Sequence, residues 1–554
     1  MIKTDPPASP ALPAHSLTRR NLFRLGGLAA VTAAAPLAAR GFGGGFTHGV
    51  ASGEPGQDRV LLWTRYVAGQ DTRLVWEVSD AMDFVRVVAA GEVIASPAND
   101  SCAKAWAEGL DPGQWYYYRF IAPDGTQSEV GRTRTLPDGA VERFRMAVFS
   151  CSNYGFGWFN AYAHAAEAND LDLALHLGDY IYEYGRGTYP SAREANPNRV
   201  LWPENEIVAL ADYRLRYATY RSDPDLRRIH QLLPMISVWD DHETANDSWK
   251  GGAQNHQPET EGPWEVRKSA AMRAYREWLP VSDEPYAEYQ LGRLATLLRL
   301  DTRLAGRDKQ FDLAEVIGGR RTPEEIGTAL AAFRDGSFQA ADREMLGAAQ
   351  QSWLGDRLAK SRRDGAVWQV LVQQVLMGEL FTAPGLADAL PADAPDYVRR
   401  QVQASATAGR AGLPANMDAW DGYPAARARV FEAALAADAN LVSLAGDTHN
   451  AWAFDLAHQG NRVGIEFGGH SVSSPGLESY LGAIAPERLA QTLVGHNQGL
   501  KFADTSQRGY MVVELTPEAA SSEYRFMANV RHRSKELAGT RRMVTAAGSR
   551  KFAG

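Results

Sequence analysis

Hydrophobic positions fall into two regimes along the chain. Between residue 46 and about residue 137 they form short runs rich in β-branched and aromatic residues: Val60–Trp63, Leu74–Val78 and Trp115–Phe120. Turn signals separate these runs, at Gly53-Glu54-Pro55-Gly56, Asp111-Pro112-Gly113 and Pro123-Asp124-Gly125. Strands of this length and spacing predict a small antiparallel β-sandwich. From Phe144 the pattern changes. Compact apolar strands are predicted at Phe144–Phe149, Leu171–Leu177, Met235–Trp239, Leu297–Leu300, Trp368–Gln373, Leu441–Ala445 and Val463–Phe467, with helical stretches such as Ala161–Ala168 between most of them. That alternation predicts a layered α/β core. Leu136-Pro137-Asp138-Gly139 reads as the linker, and segments around 308–345 and 380–415 read as surface insertions or lids.

The N-terminus belongs to neither regime. Thr18-Arg19-Arg20-Asn21-Leu22-Phe23-Arg24 precedes an apolar, Ala/Gly-rich run from Leu25 to Ala39. A charged segment, an apolar segment and a small-residue end form the layout of a signal peptide, and the paired arginines match the twin-arginine type. The expectation is export by the twin-arginine machinery to the periplasm or outside the cell, with no transmembrane segment in the mature chain. The expected division is residues 1–40 as leader, 41–138 as β-sandwich and 139–554 as α/β domain.

Composition is globular, and 554 residues exceed one ordinary core. The net charge of −8 becomes −12 once residues 1–40 remove five cationic residues and one acid. Such acidity argues against nucleic acid or an anionic membrane as the main partner. It leaves a small anionic ligand open, because a bound cation inverts the local field. The two cysteines, Cys102 and Cys151, lie in segments that read as different domains and are expected to stay unpaired. The basic tail from Arg531 to Lys551 is read as a solvated C-terminal helix.

Candidate chemistry collects where predicted strands end, the place where open α/β sheets build their sites. Cys151, with Asn153 nearby, follows one strand; Gly178-Asp179-Tyr180-Ile181-Tyr182 follows the next; Asp240-Asp241-His242-Glu243 a third; Gly446-Asp447-Thr448-His449-Asn450 a fourth; and Gly468-Gly469-His470 a fifth. Taken singly, each has an ordinary reading: a buried thiol, a turn aspartate, an acidic helix start, a histidine at a seam. His470 is the weakest of the set. Together, acids converging on one sheet edge would repel unless a cation joined them. Gly-Asp-x-x-Tyr places a carboxylate and a phenol three residues apart, which favours Tyr182 over Tyr180 and Tyr184 as a partner of Asp179 on one ion. Phenolate and thiolate suit ferric iron, whereas Asp241 and Asp447 are hard oxygen donors suited to calcium, magnesium or manganese.

At these residues the chain resembles the calcineurin-like metallophosphoesterase superfamily, and within it the alkaline phosphatase D (PhoD) family. The resemblance is carried by Phe46–Pro55, Val148–Ser152, Gly178–Glu183, Trp239–Asp247, Leu300–Arg303, Leu346–Leu354, Trp420–Pro424 and Gly446–Trp452. It implies a four-layer α/β catalytic core behind the β-sandwich. It also implies an exported phosphatase for phosphate monoesters, possible diesters included, using a metal-activated water or oxide as nucleophile. By motif position Cys151, Asp179, Tyr182 and His449 would bind Fe(3+). Asp179 would bridge to Ca(2+), joined by Asp241, Asp447 and Asn153, and His242 would protonate the leaving group. A phosphodiesterase or phospholipase D-like hydrolase on the same site is the alternative. A non-catalytic, calcium-stabilised exported binding protein is the third reading.

Overall fold

A computed structural model describes residues 44–386, 390, 396–414 and 416–553. The leader expected at residues 1–40 lies outside them. Among the described residues no helix is long and apolar enough to cross a membrane.

Two large sheets lie face to face. One has nine strands, in the spatial order Leu537–Ala546, Ala519–Met527, Gly509–Leu515, Phe144–Phe149, Leu173–His176, Met235–Ser237, Gly45–Gly53, Arg59–Val67 and Cys102–Glu108. The other has seven: Ala287–Leu291, Ala295–Arg299, Trp368–Val372, Leu441–Ala445, Asn461–Gly468, Ala451–His458 and Leu500–Asp504. Their inner faces share one core, in which Met146, Leu175 and Ile236 meet Leu297, Val370 and Ile465. The outer face of the first sheet is covered by helices that include Leu210–Arg221, Pro224–Leu232 and Trp264–Trp278, through Tyr217, Ile229 and Trp278. The outer face of the second is covered by Ala348–Arg363, Pro424–Ala436 and Pro486–His496, through Leu354, Val430 and Leu489. This is the four-layer α/β core expected from the sequence. The central strands are buried on both faces, which explains why they read as unbroken apolar runs rather than alternations.

The β-sandwich has a different construction from the one expected. Its four-stranded leaf, in the order Val87–Ala95, Thr72–Ser79, Trp115–Ile121 and Gly131–Arg134, packs through Trp76, Tyr118 and Phe120. The opposing leaf is not separate: it is the Gly45–Gly53, Arg59–Val67, Cys102–Glu108 wing of the nine-stranded sheet, joined in parallel at Gly53 and Met235. Gly53 permits that join, since a Cβ there would lie 2.2 Å from the Pro280 carbonyl oxygen and 2.7 Å from that of Met235.

The C-terminal tail is corrected outright. Leu537–Ala546 is a β-strand at the sheet edge, paired antiparallel with Ala519–Met527. Met543 and Thr545 point inward while Arg541 and Arg542 are exposed, so alternation overrides the helical expectation and leaves a charged edge that resists further pairing. The two segments that broke the strand-helix rhythm pack on each other in a satellite core that includes Leu330, Phe333, Ala408 and Leu413. Cys102 and Cys151 are both free and buried.

One buried acid in the second sheet has a measurable consequence. Glu466 is fully buried, accepts hydrogen bonds from the Met377 and Gly378 amides and from Ser443 Oγ, and is pushed up to about 7 by burial. The folded protein therefore keeps a proton there that the unfolded chain releases near 4.5. The stability this group adds is full at low pH and is lost as pH rises through about 7, a change of about 3 kcal/mol. Glu466→Gln can keep its oxygen on the two amides and turn its NH2 toward Ser443. Its Tm relative to wild type should rise by roughly 2–3 °C between pH 5 and pH 8. A difference that does not change with pH would contradict this assignment.

Candidate metal centre

Four strands deliver the candidate ligands, and several of the turns that follow them are unusual. Cys151, Asp179, Asp447 and His449 have φ of 59°, 54°, 64° and 64°, in the left-handed region that L-residues other than glycine seldom enter. Backbone held there is stabilised by its surroundings and concentrates at functional sites. The surroundings are specific. The Cys151 amide donates to the Gly178 carbonyl at 3.1 Å, Ser152 to Asp179 at 2.8 Å, and Gly446 to Gln374 at 2.6 Å. At Gly178, whose φ is 103°, a Cβ would lie 2.4 Å from the Asp240 Cβ, so the second and third strand-end turns touch.

Glu243 binds these two turns together. Its carboxylate accepts from the amides of Asp179 at 3.2 Å, Asp240 at 2.7 Å, and Tyr180. Gln374 performs a similar service between the sheets, donating to the carbonyls of Trp239 and Leu300 and accepting from Thr302 Oγ1.

The side chains so placed form a connected cluster. Cys151, Asp179 and His449 offer ligand atoms within 4.8 Å of one another; so do Asp179, Asp241 and His242, and so do Asp240, Asp241 and Asp447. The Tyr182 hydroxyl donates to Asp179 Oδ2 at 2.9 Å and lies 3.1 Å from His449 Nε2. The carbonyl of Pro475 lies 2.6 Å from His449 Nδ1, which places the proton on that nitrogen and leaves Nε2 with its lone pair toward Asp179. Burial holds His449 neutral, down at about 3. Asn153 is buried two residues along the Cys151 turn, with Oδ1 accepting from the Phe156 amide at 3.1 Å and Nδ2 unpartnered. His470 is also buried, but its Nε2 lies 3.0 Å from the Arg525 carbonyl oxygen and its ring packs on Phe526. That is the contact pattern of a core histidine.

Electrostatically the cluster is short of positive charge. Burial, then neighbouring Asp179, pushes the Cys151 thiol and the Tyr182 phenol well above their usual ranges. Burial raises Asp179 and Asp447 strongly as well, with Asp241 and Asp240 adding to it. Asp179 Oδ1 and Asp240 Oδ2 are buried without a hydrogen-bond partner. Unpartnered acid oxygens beside a thiol and a phenol are the donor set a cation would complete.

Much of the positive charge present comes from residues without a role in the sequence reading, joined by His242. Arg303 is fully buried and reaches Asp240, Asp418 at 2.7 Å and Asp447 at 3.1 Å, while Arg307 also pairs with Asp418. Burial would lower the pKa of His242, but Asp241, Glu183 and Asp179 push it well above its ordinary value. Glu183 Oε2 lies 2.7 Å from His242 Nδ1, and Glu183 is itself fixed by the Asn246 amide and the Asn255 side chain. Of these, Arg303 stood inside a quoted motif and Glu183 at the end of another; nothing local distinguished them as site residues.

Residues 146–524 match the family model for the PhoD-like phosphatase, and residues 32–137 match that for the PhoD-like phosphatase N-terminal domain. Alkaline phosphatase D of Bacillus subtilis (strain 168) is 33% identical over 513 residues, which cover 87% of this chain and 77% of that protein. The solved structure of PhoD aligns with a TM-score of 0.74 at 30% identity, over 92% of each chain. The chain belongs to the PhoD-like phosphatase family.

Proposed function

We propose that this phosphatase hydrolyses phosphate monoesters at a binuclear centre of ferric iron and calcium, and acts after export. The observation that carries the reading is the pair of donor groups sharing one rim: Cys151, Asp179 and His449 on one side, Asp240, Asp241 and Asp447 on the other. Cys151, Asp179, Tyr182 and His449 would hold iron; Asp179, Asp241 and Asp447 would hold calcium, with Asn153 beside them. The softer and harder donors segregate as these two ions require. Bound there, the cations supply charge neutralisation at the phosphoryl group and lower the pKa of the attacking water.

The chain's own groups do the rest. Glu183 takes His242 Nδ1 and leaves Nε2 to protonate the departing alkoxide, the general-acid step of ester cleavage. Arg303 adds a fixed positive charge behind Asp447, and preorganised charge of this kind is what phosphoryl transfer chiefly needs. The catalytic unit is assigned to residues 139–554, the β-sandwich domain to 41–138 and the twin-arginine leader to 1–40.

The test combines metal analysis with substrate profiling on protein purified without added metal. Iron and calcium near stoichiometry, a visible tyrosinate charge-transfer band, and faster turnover of a monoester than of a diester or a phospholipid are expected. A colourless, iron-free but active protein would overturn the iron assignment, and faster diester turnover would overturn the monoester preference.

A further inference from the structure

Beside the proposed metal ligands stands a group of tyrosines that the hydrolytic chemistry does not use. Tyr184 and Tyr189 meet edge to face with ring centroids 5.8 Å apart, and the Tyr189 ring lies parallel to His449 at 6.3 Å. The Tyr189 hydroxyl is 3.2 Å from His449 Nδ1 and donates to the Pro475 carbonyl at 3.3 Å. Tyr184 faces the other side of the centre, its ring 5.4 Å from that of His242. Near this pair is Tyr480, which lies within electrostatic reach of His242 and Tyr184.

Tyr480 differs from the rest in exposure. It is 49% accessible, whereas Tyr182 is buried and Tyr184 and Tyr189 are half-buried. The segment that carries Tyr480 is tied down close to the centre. His449 Nδ1 meets the Pro475 carbonyl, the Leu477 amide donates to Asn450 Oδ1 at 3.3 Å, and Glu478 pairs with Arg508. Tyr189 also lines an open notch of about 190 Å³, together with Pro190, Val200 and Leu201. A tethered, accessible aromatic side chain within electrostatic reach of the proton donor His242 offers a surface for stacking, since one such contact favours a flat π-system over a saturated chain.

We propose that Tyr480, backed by Tyr189 and Tyr184, forms the leaving-group subsite, and that it selects phosphate esters whose alcohol carries a planar ring. The inference rests on the phosphatase reading above and adds the class of alcohol. The phosphoryl group sits at the acid cluster, the ester oxygen faces His242, and the ring of the departing alcohol lies on Tyr480. An aryl alcohol and a nucleoside both present such a ring.

Tyr480→Ala and Tyr480→Phe, each prepared with its metal content measured, are compared with wild type on phenyl phosphate, a nucleoside 5′-monophosphate and glycerol phosphate. Comparing each substrate between variant and wild type cancels intrinsic differences in leaving-group reactivity. The alanine variant should raise KM for a planar ester about tenfold relative to glycerol phosphate, the size of one aromatic stacking contact. Phenylalanine, which keeps the ring, should restore most of that preference. A selective loss on either planar ester supports the subsite and identifies the ring it serves. Equal loss on all three esters, or none, overturns it. If wild type cleaves none of the three, the phosphatase reading is what has failed.

Discussion

Replacing Asp179 with asparagine is expected to abolish hydrolysis while leaving the metal-free fold at least as stable as wild type. The argument has two parts. Asp179 is the acid shared by the Cys151–His449 group and the Asp241–His242 group, and Oδ2 also accepts from Tyr182. Losing its charge removes the bridge between two proposed ion sites, so kcat/KM should fall at least ~10³-fold, about 4 kcal/mol of transition-state stabilisation. Metal content should fall with it. Without metal, however, Asp179 is a fully buried acid pushed well above its usual range by burial and by Asp241, Asp240 and Glu243, even with His242 opposing. An amide there removes a repelling charge and keeps the shape. Chelated wild type and chelated Asp179→Asn should therefore melt together, or the variant slightly higher. Near-wild-type hydrolysis by the variant would end the binuclear reading, and a large drop in its metal-free Tm would show Asp179 to be a structural acid.

The positions of the strand-end acids were legible because a buried parallel strand is an unbroken apolar run, and the residue after it is forced to the sheet edge. Leu173–His176 before Asp179 and Leu441–Ala445 before Asp447 are cases of this. The family-like motifs then marked which edges mattered. What supports those acids was not legible. Glu183 reaches His242 across 59 positions, and Arg303 reaches Asp447 across 144. Contacts at such separation leave no periodicity in a single chain, and a buried arginine looks like a surface one until its neighbours are known. The two fold differences have the same origin. Gly45–Gly53 reads as an ordinary sandwich strand, and only the close approach at Gly53 admits pairing to Met235. The tail from Arg531 to Lys551 is rich in basic residues, which suggested solvation. Its strand character depends on a partner, Ala519–Met527, whose own exposed edge it covers.

Arg303→Met should be the most destabilising single change near the centre, and its cost should depend on pH and on divalent cations. Arg303 is fully buried, and its guanidinium contacts Asp240, Asp418 and Asp447 while standing 3.9 Å from Asp241. Removing one partner of a buried ionic network leaves charges that water cannot reach, a loss of about 3–5 kcal/mol. In a chain of this length that corresponds to roughly 3–5 °C in Tm. The pH dependence follows from the acids left behind. Even with Arg303 present, burial holds Asp240 at about 6 and Asp247 at about 7, both raised from 3.8. Acids raised in this way stabilise the fold fully below their unfolded value and lose that contribution as pH rises through the folded one. Without the arginine they are raised further, so the deficit of the variant should be smallest near pH 5 and largest at pH 8. Calcium should narrow it at pH 8 by supplying the missing charge, and should do little at pH 5, where the acids hold protons. A deficit equal at both pH values and indifferent to calcium would mean that Arg303 acts by packing, and that the acid cluster is balanced without it.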